Sequence, residues 1–130
     1  METYAIRKPN VVQLQIPIDK NLSESVKSMV VASMAKFSIS DAAVQPVSKS
    51  IDEVFAMMDS KEPLPNESLI LLIVTDEDKF SIGFVNYKNV LAVNNQNTHF
   101  QNIQNYMDDV RIIDLPSRGG NMLTMNKAFV

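Results

Sequence analysis

Apolar residues recur along this chain with two different periods, and each change of period marks a boundary between elements. From Val11 to Pro17 the period is two, with Val12, Leu14 and Ile16 on one side, which predicts a half-buried strand ended by Pro17. The period then lengthens. Leu22, Val26, Met29, Val30, Met34 and Phe37 fall at helical spacing, predicting a helix over 22–37 whose start carries a capping box, Asn21 with Glu24. Behind a short break at Ser38-Ile39-Ser40-Asp41, with a second cap candidate, the stripe Val44, Val47, Ile51, Val54, Phe55 and Met58 predicts a second helix lying flat on a sheet. Pro46 lacks an amide donor and clashes with the carbonyl four residues back, so that helix either starts near Val44 or is kinked. Lys49, Glu53 and Met57 follow at intervals of four and form a second, narrow face off the core stripe.

The second half is dominated by the short period. Two prolines at alternate positions predict a loop over 61–67. Ser68 to Thr75 is a nearly unbroken apolar run of strand length, predicting a strand buried on both faces. Asp76-Glu77-Asp78 turns it into an antiparallel partner carrying Phe80, Ile82 and Phe84. A weaker strand is predicted at Val90-Leu91-Ala92-Val93, and then a helix capped by Thr98 with Phe100, Ile103, Tyr106 and Met107 facing inward. Strands at 110–115 and 122–130 complete the chain around a turn at 116–121. This order predicts an α+β two-layer sandwich: a mostly antiparallel, mixed sheet with helices packed on one face. Residues 1–10 read as a loose arm and residues 11–130 as one domain.

Composition narrows the chemistry. The 130 residues suffice to bury a core without staples, and the lack of cysteine removes thiol catalysis, disulfides and cysteine-based zinc sites. No apolar run reaches the roughly 20 residues that span a bilayer, and no basic stretch leads into an apolar core at the N-terminus. The expectation is a soluble cytoplasmic protein without membrane contact. A net charge of −3 offers no basic surface for nucleic acid, so protein or small-molecule partners are expected.

Each polar candidate has a catalytic and a plain reading. Glu53 is either an acid that orients a water or hydroxyl, or an exposed helix carboxylate paired with Lys49. Ser48 and Ser50 have no histidine near them in sequence and read as helix serines. His99, the only histidine, reads as an exposed first-turn residue, and Asp108, Asp109 and Asp114 as acids solvated or bonded to local amides, so no metal site is expected. Arg118, Gly119 and Gly120 form either a small anion-binding nest or a hairpin turn. Met57, off the core stripe, either plugs a pocket or belongs to a protein-binding surface.

From about Leu14 to Phe129 the chain resembles the anti-sigma factor and serine-kinase branch of the GHKL, or histidine kinase-like, ATPase superfamily. Leu14-Gln15-Ile16-Pro17 stands at the family's opening strand, and the helix through Glu53 to Met57 at its Glu-x-x-x-Asn motif. Asn86-Tyr87-Lys88-Asn89-Val90 stands at its Asp-x-Gly-x-Gly motif. Tyr106-Met107-Asp108-Asp109-Val110, Gly119-Gly120-Asn121 and Met125-Asn126-Lys127 match its closing segments. The resemblance implies that the Met57 position would hold magnesium, the Asn86 position the adenine amino group, and glycines the approach of backbone amides to phosphate. Here Met57 is a poor ligand for a hard cation, and Lys88 and Val90 replace permissive glycines.

With these departures the resemblance implies a pseudo-ATPase, a regulatory protein-binding domain of the anti-sigma kind in a bacterial partner-switching system. Its expected partner is a sigma factor or a STAS-type antagonist, with a possible homodimer through the region around 22–37, and with no cofactor. One alternative is a divergent serine kinase that still binds ATP and magnesium through Glu53, Met57, Asn86 and Asn121, with Glu53 as the catalytic residue. The other is a structural or assembly subunit without ligand.

Overall fold

The computed structural model describes residues 10–58, 64–86, 97–116 and 119–129. In chain order the elements are β1 (Asn10–Ile18), a short 3-10 turn at Lys20–Leu22, α1 (Ser23–Lys36), α2 (Asp41–Ala56), β2 (Leu64–Thr75), β3 (Lys79–Asn86), α3 (Thr98–Tyr106), β4 (Asp109–Asp114) and β5 (Asn121–Ala128). The strands form one five-stranded sheet in the order β1-β2-β3-β5-β4. Every described pairing is antiparallel. The architecture is an α+β two-layer one, with the mixed sheet expected from sequence replaced by an antiparallel one among the described residues.

One face of the sheet makes the core. Leu69, Leu71 and Ile73 of β2, Phe80, Ile82 and Phe84 of β3, and Leu123 and Met125 of β5 are buried against Val26, Val30 and Met34 of α1 and Val47, Ile51, Val54 and Phe55 of α2. Phe84 meets Phe55 edge-on, ring centres 6.4 Å apart, and so fastens α2 over the middle strand. The residues between, Ile70, Leu72 and Val74, are only half-buried. The two-sided burial expected of this strand is therefore met on one side only, because all three described helices cover the same face.

Local chemistry sets several boundaries away from their expected places. Asn21 and Glu24 do not form the expected capping box: Asp19 caps the 3-10 turn, its Oδ1 accepting from the Asn21 amide at 2.9 Å, and α1 begins at Ser23 behind Leu22. At its other end Ser38 adopts a left-handed φ of 56°. The Ile39 amide donates to the Met34 carbonyl and the Ser38 amide to Ala35, the double bond of a Schellman stop, and Ile39 is thereby buried. Phe37, expected on the inner stripe, sits at that stop and is 37% exposed.

α2 starts at Asp41 and carries Pro46 inside it, where the ring leaves the Ala42 carbonyl without an amide donor four residues on. The buried Ser50 hydroxyl donates to the Pro46 carbonyl at 2.8 Å. β1 runs past Pro17 to Ile18, which pairs with Leu64 after a register shift, so β2 begins inside the expected loop. α3 is capped by Asn97, whose Oδ1 accepts from the Phe100 amide at 3.1 Å, and not by Thr98. The predicted strand at 90–93 lies outside the described residues.

Charged side chains pin the helices and the last strands. Ser23 Oγ and Lys27 Nζ of α1 both donate to the Asp52 carboxylate of α2. The Lys27 ammonium is held above its ordinary pKa by its hydrogen bond to Glu24 and then by Asp52. Asp108, between α3 and β4, accepts from the Ala128 amide at 2.7 Å and from Lys127 Nζ at 3.4 Å. The amide bond first, and Lys127 with it, holds the Asp108 carboxyl below its ordinary pKa.

Because the folded value lies below the unfolded one, this stabilisation is complete above the unfolded pKa and disappears as pH falls through the folded pKa. Urea midpoints should therefore fall as pH drops below about 4, and Asp108→Asn should flatten that acid limb while lowering the midpoint at neutral pH. An unchanged acid limb in the variant would remove Asp108 from the account.

Candidate functional site

The second face of α2 does not open onto solvent; it forms the seam with α3. The two helices run antiparallel there. Lys49 Nζ lies 5.8 Å above the Tyr106 ring, near the C-terminal end of α3. One turn on, Glu53 Oε2 meets His99 Nδ1 at 2.5 Å, and Glu53 Oε1 accepts from Asn102 Nδ2 at 3.2 Å. The following turn, at the end of α2, brings Met57, which is 2% exposed and belongs to the core.

Helical period explains why these residues meet. His99, Asn102 and Tyr106 recur at three and four residues along α3, as Lys49, Glu53 and Met57 do along α2, so each helix brings a matching stripe. The Glu53 side chain is 18% exposed and that of His99 42%. A carboxylate with both oxygens engaged orients the imidazole and fixes the α2–α3 register. Chemically, the cluster can hold His99 in one rotamer with its other ring nitrogen turned away from Glu53.

These contacts correct three expectations. Glu53 is neither exposed nor paired with Lys49, because Lys49 is drawn to the Tyr106 ring and the α3 side chains reach the carboxylate. His99 is not a plain exposed first-turn residue but the partner of Glu53. Met57 is not part of a surface: at the end of α2 it is buried, and its thioether fills core space. Sequence reasoning does not reach Asn102. Its signal is its spacing from His99 and Tyr106, legible only once a facing helix is known.

The remaining candidates gather elsewhere. Asn86 ends β3, is fully buried, and faces Asn121 of β5, which in turn pairs with Asp114 of β4. The Asn121 Oδ1 is buried and accepts no hydrogen bond from the described residues. Gly119 and Gly120 have φ of 75° and 79°, the left-handed region that a side chain disfavours. Their turn closes on itself, the Gly119 amide donating to the Leu115 carbonyl at 2.8 Å and the Leu115 amide to Gly120 at 3.2 Å. The Gly119 amide is thus spent on Leu115. Arg118 lies outside the described residues, as do Lys88 and Val90.

Asp109 accepts from Arg111 Nε at 3.0 Å and from Asn126 Nδ2 at 3.3 Å, a local network like that of Asp108. Among the described residues no group of three His, Asp or Glu side chains is placed to hold a metal ion. No described helix is long and apolar enough to cross a membrane. Comparison with protein-family models and with curated proteins found no match.

Proposed function

We propose that this chain is a regulatory protein-binding domain of the anti-sigma kind, a pseudo-ATPase that acts by association and not by phosphoryl transfer. The observation that carries this reading is the burial of Met57. At the position where the resemblance calls for a magnesium-binding asparagine, the chain places a thioether in the core, and the neighbouring Glu53 is engaged by His99 and Asn102. Phosphoryl transfer depends on metal ions that neutralise the phosphates, and neither a buried thioether nor an occupied carboxylate offers a hard oxygen ligand. Partners of the implied kind are a sigma factor or a STAS-type antagonist.

The divergent serine kinase is the second reading. It is favoured by the buried, unmatched Asn121 Oδ1 beside Asn86, an acceptor that the amino group of an adenine could satisfy. Melting the protein with and without millimolar Mg-ATP separates the two. Binding to the native state alone raises the melting temperature, by about 3 kcal/mol of stabilisation at a hundredfold excess over Kd. No shift is expected. A clear shift overturns the pseudo-ATPase reading, and affinity capture from the source cell that recovers neither a sigma factor nor a STAS protein overturns the partner assignment.

A further inference from the structure

The two edges of the sheet are built differently. β4, at one edge, carries Asp109, Arg111 and Asp114, and charged side chains of this kind keep a stray strand from pairing. β1, at the other, carries no charge from Asn10 to Ile16. Its protection is confined to its far end, where Pro17 stands and the register shifts before Ile18. An uncharged stretch of high strand propensity, free of proline and glycine, is one to which another strand adds.

Pro17 also fixes which way this edge points. Proline is accepted in an edge strand where its nitrogen faces away from the neighbour, because it has no N–H to give. Pairing with β2 is unbroken from Asn10 to Pro17, and successive residues of a strand turn their N–H and C=O groups to alternate sides. Val11, Gln13 and Gln15 therefore turn theirs outward, as Pro17 does. No described strand meets them. On the helix side Val12 and Leu14 pack on the core but are only half-buried, although their register partners Ile73 and Leu71 are fully buried. On the opposite side Val11 is 58% exposed and stands in line with the exposed, uncharged Gln13 and Gln15.

We propose that β1 takes up an extended, uncharged segment of a partner protein as a sixth, antiparallel strand. Main-chain bonds to Val11, Gln13 and Gln15 hold it, and β-branched apolar side chains at alternate positions complete the cover of Val12 and Leu14. The lack of charge selects the occupant. An acidic or basic segment finds no counter-charge along Asn10 to Ile16, and its own charge is desolvated beside the apolar rim. The proposal rests on the reading of the chain as a protein-binding domain and names how the partner is held.

Fluorescence anisotropy with the full chain and an end-blocked heptapeptide of alternating threonine and valine tests this. Saturable binding at micromolar concentrations is expected, with amide hydrogen exchange slowed at Val11, Gln13 and Gln15. Gln13→Pro removes the middle outward donor, in the orientation where Pro17 is already accepted, and should weaken binding by about tenfold or more. N-methylation of the central amides of the peptide should do the same, and it carries the test should Gln13→Pro not fold. Ile113→Lys, on the β4 edge, should leave binding unchanged. No binding, binding that survives N-methylation, or equal binding of a glutamate–valine peptide would each overturn the proposal. So would a dimer of the chain alone that Gln13→Pro abolishes, since a second copy would then hold the edge. A sigma factor or STAS protein captured equally well by the parent and by Gln13→Pro would overturn this proposal and leave the partner-binding reading standing.

Discussion

Met57→Asn is expected to lower the stability of the fold by about 2–4 kcal/mol and not to create a nucleotide site. Met57 is 2% exposed and joins the core shared by α2, α3 and the sheet. Asparagine removes the thioether's packing and buries an amide, whose desolvation costs about 1–3 kcal/mol when it lacks a partner. For a chain of this size that corresponds to roughly 10 °C in melting temperature. The substitution restores the side chain that the family resemblance calls for, so its outcome is informative in both directions. A variant as stable as the parent that also gains a Mg-ATP-dependent rise in melting temperature would show an open metal position beside Glu53. A destabilised variant with no such rise is the expected result.

Phe84→Ala should cost more, about 3–5 kcal/mol, because it deletes a fully buried ring at the centre of the sheet. The loss includes the edge-on contact with Phe55, which holds α2 over β3. Domains of this kind have about 5–15 kcal/mol in total, so the variant should unfold at a much lower urea concentration, with a substantial fraction unfolded at physiological temperature. Phe55→Ala should share part of that cost, so the double variant should lose less than the two single losses added together. Full additivity would mean that the two rings do not support each other.

Both expectations draw on α2, where the sequence is informative up to a point. Val47, Ile51, Val54 and Phe55 are legible as a buried stripe because helical period alone puts them on one side, and the structure buries all four. The neighbouring face of Lys49, Glu53 and Met57 is legible as a face, but its destination is not. Nothing near Glu53 in the chain announces His99 or Asn102, which lie 46 and 49 residues away. The same limit applies to the caps. Asn21 and Thr98 have the right chemistry for helix starts, but Asp19 and Asn97 do the capping, because capping depends on which residue leaves the extended region first.

The boundaries of β1 and β2 show a related effect. Pro17 and the prolines at 63 and 65 argue locally against strand, yet Ile18 finds a partner in Leu64 once the register shifts. An edge strand accepts proline because one side of its backbone owes no hydrogen bonds to a neighbour. No local rule tells an edge strand from a central one.

The sequence by itself determined the α+β class of the fold and the core stripes of its helices and strands, Phe37 and Met57 apart, since hydrophobic period depends only on neighbours along the chain. Tertiary structure alone decided that Glu53 is bound by α3 and that Met57 is buried. It also decided that no described helix covers the second apolar side of β2. Each of these depends on which distant segment is brought opposite a given face, and sheet pairing and helix docking fix that only when the whole chain has folded.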